Sequence, residues 1–131
     1  MSASQNNLSL IVNQQDTSGV NIINRSYTAT YSGTGAVLIN GILTTTGATA
    51  ISFPPNLTNA MQVLIKNTHA TANIRIDLTP TLATGSIIAG RLTPGSVLAL
   101  WQAVSGSSGA ITALTGTADV ANATYELFLG G

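Results

Sequence analysis

The sequence predicts an all-β chain, a single antiparallel domain of the β-sandwich or jelly-roll type with about eight to ten short strands. Apolar and polar residues alternate with the period of two that half-buried strands require. Glycine, proline, asparagine and serine interrupt these runs about every ten residues, and no stretch has the 3.6-residue periodicity of a long helix. A length of 131 residues suits one domain with a real core.

The elements are assigned in chain order from this alternation. Residues 1–7 contain no apolar run and are predicted to form a flexible N-terminal arm, so the β-sandwich domain is expected over 8–131. Pro54 and Pro55 end the strand before them, because proline cannot donate to a ladder. The segments with strand character, from which about eight to ten strands are predicted, are 8–12, 20–23, 26–31, 36–41, 48–53, 61–65, 74–78, 86–92, 96–102, 111–115 and 123–129.

The stretch MQVLIKNTHATANIRIDL (61–78) contains Lys66, His69, Arg75 and Asp77, a large share of the groups able to do chemistry. A catalytic interpretation makes His69 a general base oriented by Asp77 or Asp16, with a serine nucleophile. The favoured interpretation is a hairpin whose loop is 67–73. Its charged residues alternate with apolar ones along each strand, so they lie on the solvent face, where Arg75 and Asp77 could pair.

No metal, cofactor-binding or catalytic site is predicted. The acids Asp16, Asp77, Asp119 and Glu126 are dispersed and show no ligand spacing, although calcium held by Asp16 and Asp119 stays open. Nucleic acid is not an expected partner, because the four basic residues are scattered. A membrane is not expected either, since apolar runs such as 97–101 are shorter than the roughly 18 residues of a spanning helix.

The charge content is the least ordinary feature of the composition. Charged residues make up 6% of the chain, and four acids balance four bases, whereas a typical soluble domain has roughly 25%. Charges are depleted at interface cores and help to keep free monomers soluble. The composition therefore predicts a chain packed against copies of itself or a larger body. A monomer solvated by hydroxyls and amides is the alternative.

Aromatic and charged residues on predicted strands and loops are the candidates for such an interface. Tyr27 and Tyr31 share one strand face with Ala29, and lone exposed aromatics often anchor interfaces. Trp101 is expected in the core or at a subunit contact, with a sugar-stacking platform as the alternative. The loops around His69 and 106–109 are expected to face a partner or solvent. The interface candidates are Trp101, Tyr27, Tyr31, His69, Arg75 and Arg91.

The order of motifs in the second half of the chain carries a family resemblance. ISFPPNLTNA (51–60) and VLIKN (63–67) are followed by an alternating strand in ATANIRI (70–76). RLTPGSVLALW (91–101) holds a Leu-x-Pro-Gly turn before a strand that ends in an aromatic, and YELFLGG (125–131) closes the chain. Over residues 48–131 this order resembles small β-sandwich virion proteins of tailed bacteriophages. Ser96 departs from the pattern, in which an acidic residue follows Pro-Gly.

The resemblance implies a non-enzymatic structural protein located in the virion. The expected role is a trimeric cement or decoration subunit that stabilises the capsid shell. Its expected partners are copies of itself and the major capsid protein, and the family supplies no catalytic residues to transfer. The alternatives are a tail, baseplate or head-fibre component, or a carbohydrate-binding module in which Trp101, Tyr27 and Tyr31 form a platform.

Overall fold

The computed structural model describes residues 4–33, 36–55, 57, 60–80, 87–101 and 110–131. This part of the chain contains strands and no helix, which confirms the predicted all-β class. The strands are β1 (Ser4–Gln15), β2 (Asn21–Gly33), β3 (Ala36–Leu43), β4 (Thr49–Ile51), β5 (Gln62–Asn67), β6 (Ile74–Pro80), β7 (Ile87–Leu92), β8 (Val97–Trp101), β9 (Ile111–Ala118) and β10 (Ala123–Gly130).

Two four-stranded antiparallel sheets form a sandwich, and β1 and β2 form a separate two-stranded sheet, here called the hairpin. The strand order is β3-β10-β5-β8 in sheet I and β4-β9-β6-β7 in sheet II. One apolar cluster lies between them and includes Ile65 and Leu127 of sheet I with Ile76 and Leu114 of sheet II. The core therefore comes from residues 43–129, and the hairpin contributes none of its buried members.

In the central strands, the alternating apolar residues of the sequence face the core. Val63 and Ile65 of β5 are buried, as are Ile74, Ile76 and Leu78 of β6. In β10 the alternation is continuous from Ala123 to Leu129, with every second residue buried. Period-two alternation fixes which residues face the core because a strand presents successive side chains to opposite faces.

The predicted hairpin over 61–78 is wrong. Strand β5 lies in sheet I between β10 and β8, whereas β6 lies in sheet II between β9 and β7. The segment 68–73 therefore crosses from one sheet to the other. Alternation and a short polar loop look the same in a hairpin and in a crossing connection, so the local pattern could not decide between them. The Pro94-Gly95 turn also crosses between sheets, from β7 to β8.

The buried side chain of Asn67 holds these two crossings together. Its Nδ2 donates to the carbonyls of Ala72 (2.7 Å) and Leu92 (2.9 Å), and its Oδ1 accepts from the N–H of His69 (3.0 Å). Its backbone N–H donates to the carbonyl of Ser96 (3.0 Å). Gly95, whose φ is 80°, supplies the left-handed residue that a Pro-Gly type II turn needs at this point.

The N-terminal region differs from its predicted form. Strand β1 begins at Ser4, so residues 4–7, assigned to a flexible arm, pair with residues 30–33 of β2; residues 1–3 lie outside the described part. The two predicted strands 20–23 and 26–31 form one strand, β2. Asn24 and Arg25 do not interrupt it because they pair with Asn13 and Val12. The alternation of apolar and polar residues ends at the polar residues 4–7, but the backbone pairing of β1 with β2 continues through them.

Gly41 of β3 is opposite Tyr125 of β10, and the phenol ring lies over the glycine. A Cβ at this position would overlap the ring carbons of Tyr125. We expect Gly41→Ala to displace the buried ring and to lower the free energy of unfolding by about 1–3 kcal/mol, the usual range for overpacking.

The measurement is denaturant unfolding, with Gly90→Ala of β7 as the matched control. A Cβ at Gly90 meets no atom within 4 Å, so this control should leave stability unchanged or slightly raised, since alanine restricts the unfolded chain. Equal effects of the two substitutions would contradict the close packing at Gly41.

We also expect Asn67→Ala to lower the free energy of unfolding by about 3 kcal/mol or more, because it leaves buried backbone groups without partners. Asn40→Ala, on the exposed face of β3, is the control and should change stability by less than about 0.5 kcal/mol. A loss at Asn67 no greater than at Asn40 would show that the crossings do not depend on this side chain.

Candidate functional site

The hairpin exposes apolar side chains that the sandwich does not cover. Every described side chain of β1 and β2 is exposed, and the two strands pair only with each other. The large hydrophobic residues among them, with their exposed fractions, are Leu10 (48%), Ile11 (67%), Val12 (41%), Ile22 (61%), Ile23 (42%) and Tyr27 (54%). An isolated two-stranded hairpin is at best marginally stable in water, so this element calls for a covering surface.

The register of the hairpin gives it two unlike faces. Leu10 is opposite Tyr27, and Gln14 is opposite Ile23, so Leu10, Val12, Ile23 and Tyr27 lie on one side, the apolar face. On the other side the Ser9 and Thr28 hydroxyls lie 3.4 Å apart, and Asn13 is opposite Asn24. Two exposed isoleucines depart from this division, Ile11 opposite Ser26 on the polar face and Ile22 at the register shift next to Ile23. A polar face needs no cover, whereas the apolar face does.

A local hydrogen-bond network orders the tip of the hairpin. Asp16 Oδ1 accepts from the N–H of Ser18 (2.9 Å), the hydroxyl of Ser18 (2.7 Å) and the N–H of Val20 (2.9 Å). These bonds, led by the Ser18 hydroxyl, lower the pKa of Asp16 below its ordinary value. Gly19 has a φ of 86°, a left-handed conformation that glycine adopts without strain. The turn is thus specified by its own residues.

The outer face of sheet I is apolar where a solvated sheet would be polar. Leu38 of β3 is opposite Phe128 of β10, Phe128 is opposite Leu64 of β5, and Leu64 is opposite Ala99 of β8. These four residues form one continuous row across the sheet, here called the sheet I row. Leu38 is 63% exposed, and its three partners are half-buried.

Two more exposed apolar residues extend this surface, Ile42 (58%) and Val97 (51%). The charged residues on the face are Glu126 and Lys66, which lie opposite each other on neighbouring strands. An opposite-charge cross-strand pair adds little net charge to its surface. Sheet I therefore presents a neutral, largely apolar outer face.

The outer face of sheet II is polar. Arg75 of β6 lies between Arg91 of β7 and Thr117 of β9 in the register. Its Nε donates to Asp77 Oδ1 at 3.1 Å, so the predicted pairing of these two residues is confirmed. Arg75 and Arg91 also line a shallow depression with Asn73, Gly90 and Asp119. Half of the chain's four acids and half of its four bases lie on this face or at its end.

His69 and Asp119 organise the loops at the end of the sandwich near Asn67. The Nδ1 of His69 accepts from the N–H groups of Thr71 (3.2 Å) and Ala72 (2.9 Å), so its free lone pair is already engaged. Asp119 accepts from the side chain (2.6 Å) and the N–H (2.8 Å) of Asn73. These bonds, the side-chain one first, lower the pKa of Asp119, with a smaller contribution from the charge of Arg91.

The structure distributes the predicted interface residues over separate surfaces. Arg75 and Arg91 lie together on sheet II, Tyr27 lies on the apolar face of the hairpin, and His69 lies in a crossing loop. The side chains of Tyr31 and Trp101 and the loop 106–109 lie outside the described part, although the backbone places Trp101 opposite Gln62. Asp77 and Asp16, proposed partners of His69, instead bond to Arg75 and to the hairpin turn.

The prediction missed Leu38, Leu64, Phe128 and the leucine and valine of the hairpin face. A sequence signal was present, because VLI (63–65) and LFL (127–129) are uninterrupted apolar runs. Such runs are typical of strands covered on both faces, whereas alternation marks strands solvated on one face. The runs therefore correspond to strands of sheet I that carry apolar side chains on both faces.

No group of three or more potential metal-ligating side chains occurs in the described ranges. The same ranges hold no helix that is both long and apolar enough to cross a bilayer. The chain matches no protein family, no curated protein and no solved structure to which it was compared.

The Asp119 bonds predict a pH-dependent stability. A carboxyl whose folded-state pKa is lowered stabilises the fold above its unfolded value and loses that contribution as pH falls through the folded value. For Asp119 the loss should occur below its ordinary value of 3.8. The Asp119→Asn variant should be less stable than the native chain at pH 7. The difference in free energy of unfolding between the two proteins should decrease as the pH falls toward about 2.

The measurement is the denaturant midpoint of each protein at pH 7 and at about pH 2. The control is Thr117→Ala on the outer face of sheet II, because the threonine side chain does not titrate. A gap for Asp119→Asn that stays constant between the two pH values would contradict the assigned cause.

Proposed function

We propose that this chain is a non-enzymatic structural subunit of a tailed-bacteriophage particle, a trimeric cement or decoration protein that stabilises the capsid shell. The observation that carries the proposal is the exposed apolar face of the hairpin, where Leu10, Val12, Ile23 and Tyr27 are each at least 41% exposed. A contiguous apolar face of this kind marks a protein interaction site. The motif order of residues 48–131 supports the choice of a virion as the setting.

The distribution of charge supports permanent assembly. The hairpin carries two charged residues among its residues 4–33, Asp16 in the turn and Arg25 on the apolar face, so burial of this face requires a partner for one charge. Burial of apolar surface contributes roughly 25 cal/mol per Å² before the costs of association. Repeated over a lattice of identical contacts, modest junctions give long-lived attachment through avidity.

The edge strand β3 is a second feature that suits assembly. Its sequence AVLINGIL (36–43) has no charged residue and no proline, the devices that usually keep exposed edges from pairing. A partner strand could therefore add to sheet I by backbone hydrogen bonding. Contacts with the major capsid protein would use this edge, because it leaves the polar face of sheet II free for solvent.

The engaged lone pair of His69 supports the non-enzymatic part of the proposal. A general base must accept a proton at a nitrogen within reach of its substrate. Here Nδ1 accepts two backbone N–H groups and closes the crossing loop. His69 therefore acts in this proposal as a structural residue.

Quantitative mass spectrometry of purified particles tests the proposal. A cement protein should be present in a copy number comparable to that of the major capsid protein, and particles lacking it should release DNA at a lower temperature. A copy number far below that of the capsid protein would instead support a tail, baseplate or head-fibre component. Absence of the chain from purified particles would refute a virion role.

The exposure of Tyr27 gives the carbohydrate-binding alternative one specific observation, since exposed aromatic rings can stack on sugars. A glycan-array signal that is lost in Tyr27→Ala and kept in Thr28→Ala, on the opposite face of the same strand, would favour it. Under the assembly proposal, neither the native chain nor the two variants bind glycans.

A further inference from the structure

The apolar face of the hairpin has a counterpart elsewhere in the same chain. The sheet I row of Leu38, Phe128, Leu64 and Ala99 is also apolar. Val97 and Ile42 are more than half exposed on the same face, Val97 at the end of the adjacent row of Asn40, Glu126 and Lys66 and Ile42 beyond that row. The polar face of sheet II, with Arg75, Asp77 and Arg91, offers no such match. Of the sandwich faces described, the outer face of sheet I is the one that fits an apolar hairpin.

The connection between β2 and β3 argues against a hairpin folded onto its own sheet I. Residues 34 and 35 alone separate Gly33 at the end of β2 from Ala36 at the start of β3. A link of this length spans at most about 10 Å, and stacked sheets are themselves about 10 Å apart. The link would need its full length to reach the layer above sheet I, so it could not also reverse the direction of the chain. In the folded chain the hairpin face is accordingly exposed.

The dimensions of the two surfaces suit an exchange between copies. Strand β1 has 12 residues, so the hairpin is about 40 Å long and about 10 Å wide, and one face covers about 400 Å². A copy that gives its hairpin to one neighbour and receives another buries about 800 Å² over two junctions. Each junction buries about 400 Å² per partner, roughly half of one partner's share of a standard interface, so stable association depends on closure of a ring in which every copy makes both contacts.

The charges are compatible with this contact. Arg25, opposite Val12, is the charged residue on the apolar face of the hairpin. Glu126 and Lys66 lie on the outer face of sheet I. These charges lie within the two faces, Glu126 and Lys66 on the central strands of sheet I and Arg25 between Tyr27 and Ile23. Charges of mixed sign can fix the register of the contact, with Arg25 facing Glu126.

We infer that the apolar face of the β1–β2 hairpin docks on the outer face of sheet I of a second copy of this chain. The contact is heterologous, since two different surfaces meet, and it closes into a ring when the rotation between copies allows closure. The inference rests on the proposed role as an assembly subunit and names the surface by which the copies join.

Two double variants of the full chain test it. The hairpin variant carries Leu10→Thr and Tyr27→Thr, and the sheet I variant carries Leu38→Thr and Ile42→Thr. Threonine keeps the preference for a strand while it removes apolar surface. The control variant carries Thr28→Ala on the polar face of the hairpin and Thr117→Ala on sheet II. Circular dichroism and denaturant unfolding first establish that each variant keeps the native fold.

Light scattering then gives the molar mass of each protein as a function of concentration. We expect each double variant to self-associate on the order of a hundredfold more weakly than the native chain, and the control to behave like the native chain. A mixture of the two double variants should form a one-to-one heterodimer, because the intact hairpin of one fits the intact sheet I of the other. Only a heterologous contact gives this complementation.

Three results would overturn the inference. A native chain that stays monomeric would show that copies of the chain do not join through these surfaces. Double variants with native molar mass would show that neither surface joins the copies. Two weakened variants that fail to complement each other would show that each surface packs on its own copy, hairpin on hairpin and sheet I on sheet I. Absence from phage particles would refute the proposed function and leave the complementation result standing, so the two proposals can fail separately.

Discussion

A two-stranded hairpin has no second layer of its own on which to bury an apolar face, and this constraint governs how the chain can exist in water. Leu10, Val12, Ile23 and Tyr27 lie on one side of the β1–β2 hairpin, and the sandwich leaves them exposed. The sandwich has the complementary problem, because Leu38 and the sheet I row lie on its outer face. If copies of the chain associate, the apolar face of one hairpin can cover the sheet I row of another copy.

The scarcity of charge and the uneven placement of the few charges follow from the same constraint. Sheet II carries Arg75, Asp77 and Arg91 on its outer face and has no need of cover. The hairpin carries Asp16 and Arg25, and Asp16 is occupied in ordering the turn. The chain thus keeps one sheet solvated and leaves the remaining surfaces neutral. The sandwich itself depends on a polar group, Asn67, which holds two connections between the sheets.

Much of this fold was predictable from the sequence, and the failures have physical causes. Alternation identified the inward faces of β5 and β6 because burial and period are directly linked. It could not show that Asn67–Asn73 crosses between sheets, since strand pairing is decided by partners distant in sequence. Tyr27 of the hairpin face was an interface candidate, but the sheet I row was missed because the run VLI (63–65) is also compatible with the alternation of a half-buried strand, in which Leu64 lies on a solvated face. The residues that form an outer face can be identified only when the register between neighbouring strands is known.

Hydrogen exchange of the β1 and β2 amides in the full-length native chain tests most directly whether the hairpin is covered. An uncovered hairpin opens readily, so its amides exchange rapidly, whereas a docked one acquires the stability of the assembly. The account predicts that these amides are protected nearly as well as those of β5 and β10 at high protein concentration, and that protection falls on dilution. Rapid exchange of the hairpin at every concentration, with β5 and β10 protected throughout, would contradict it.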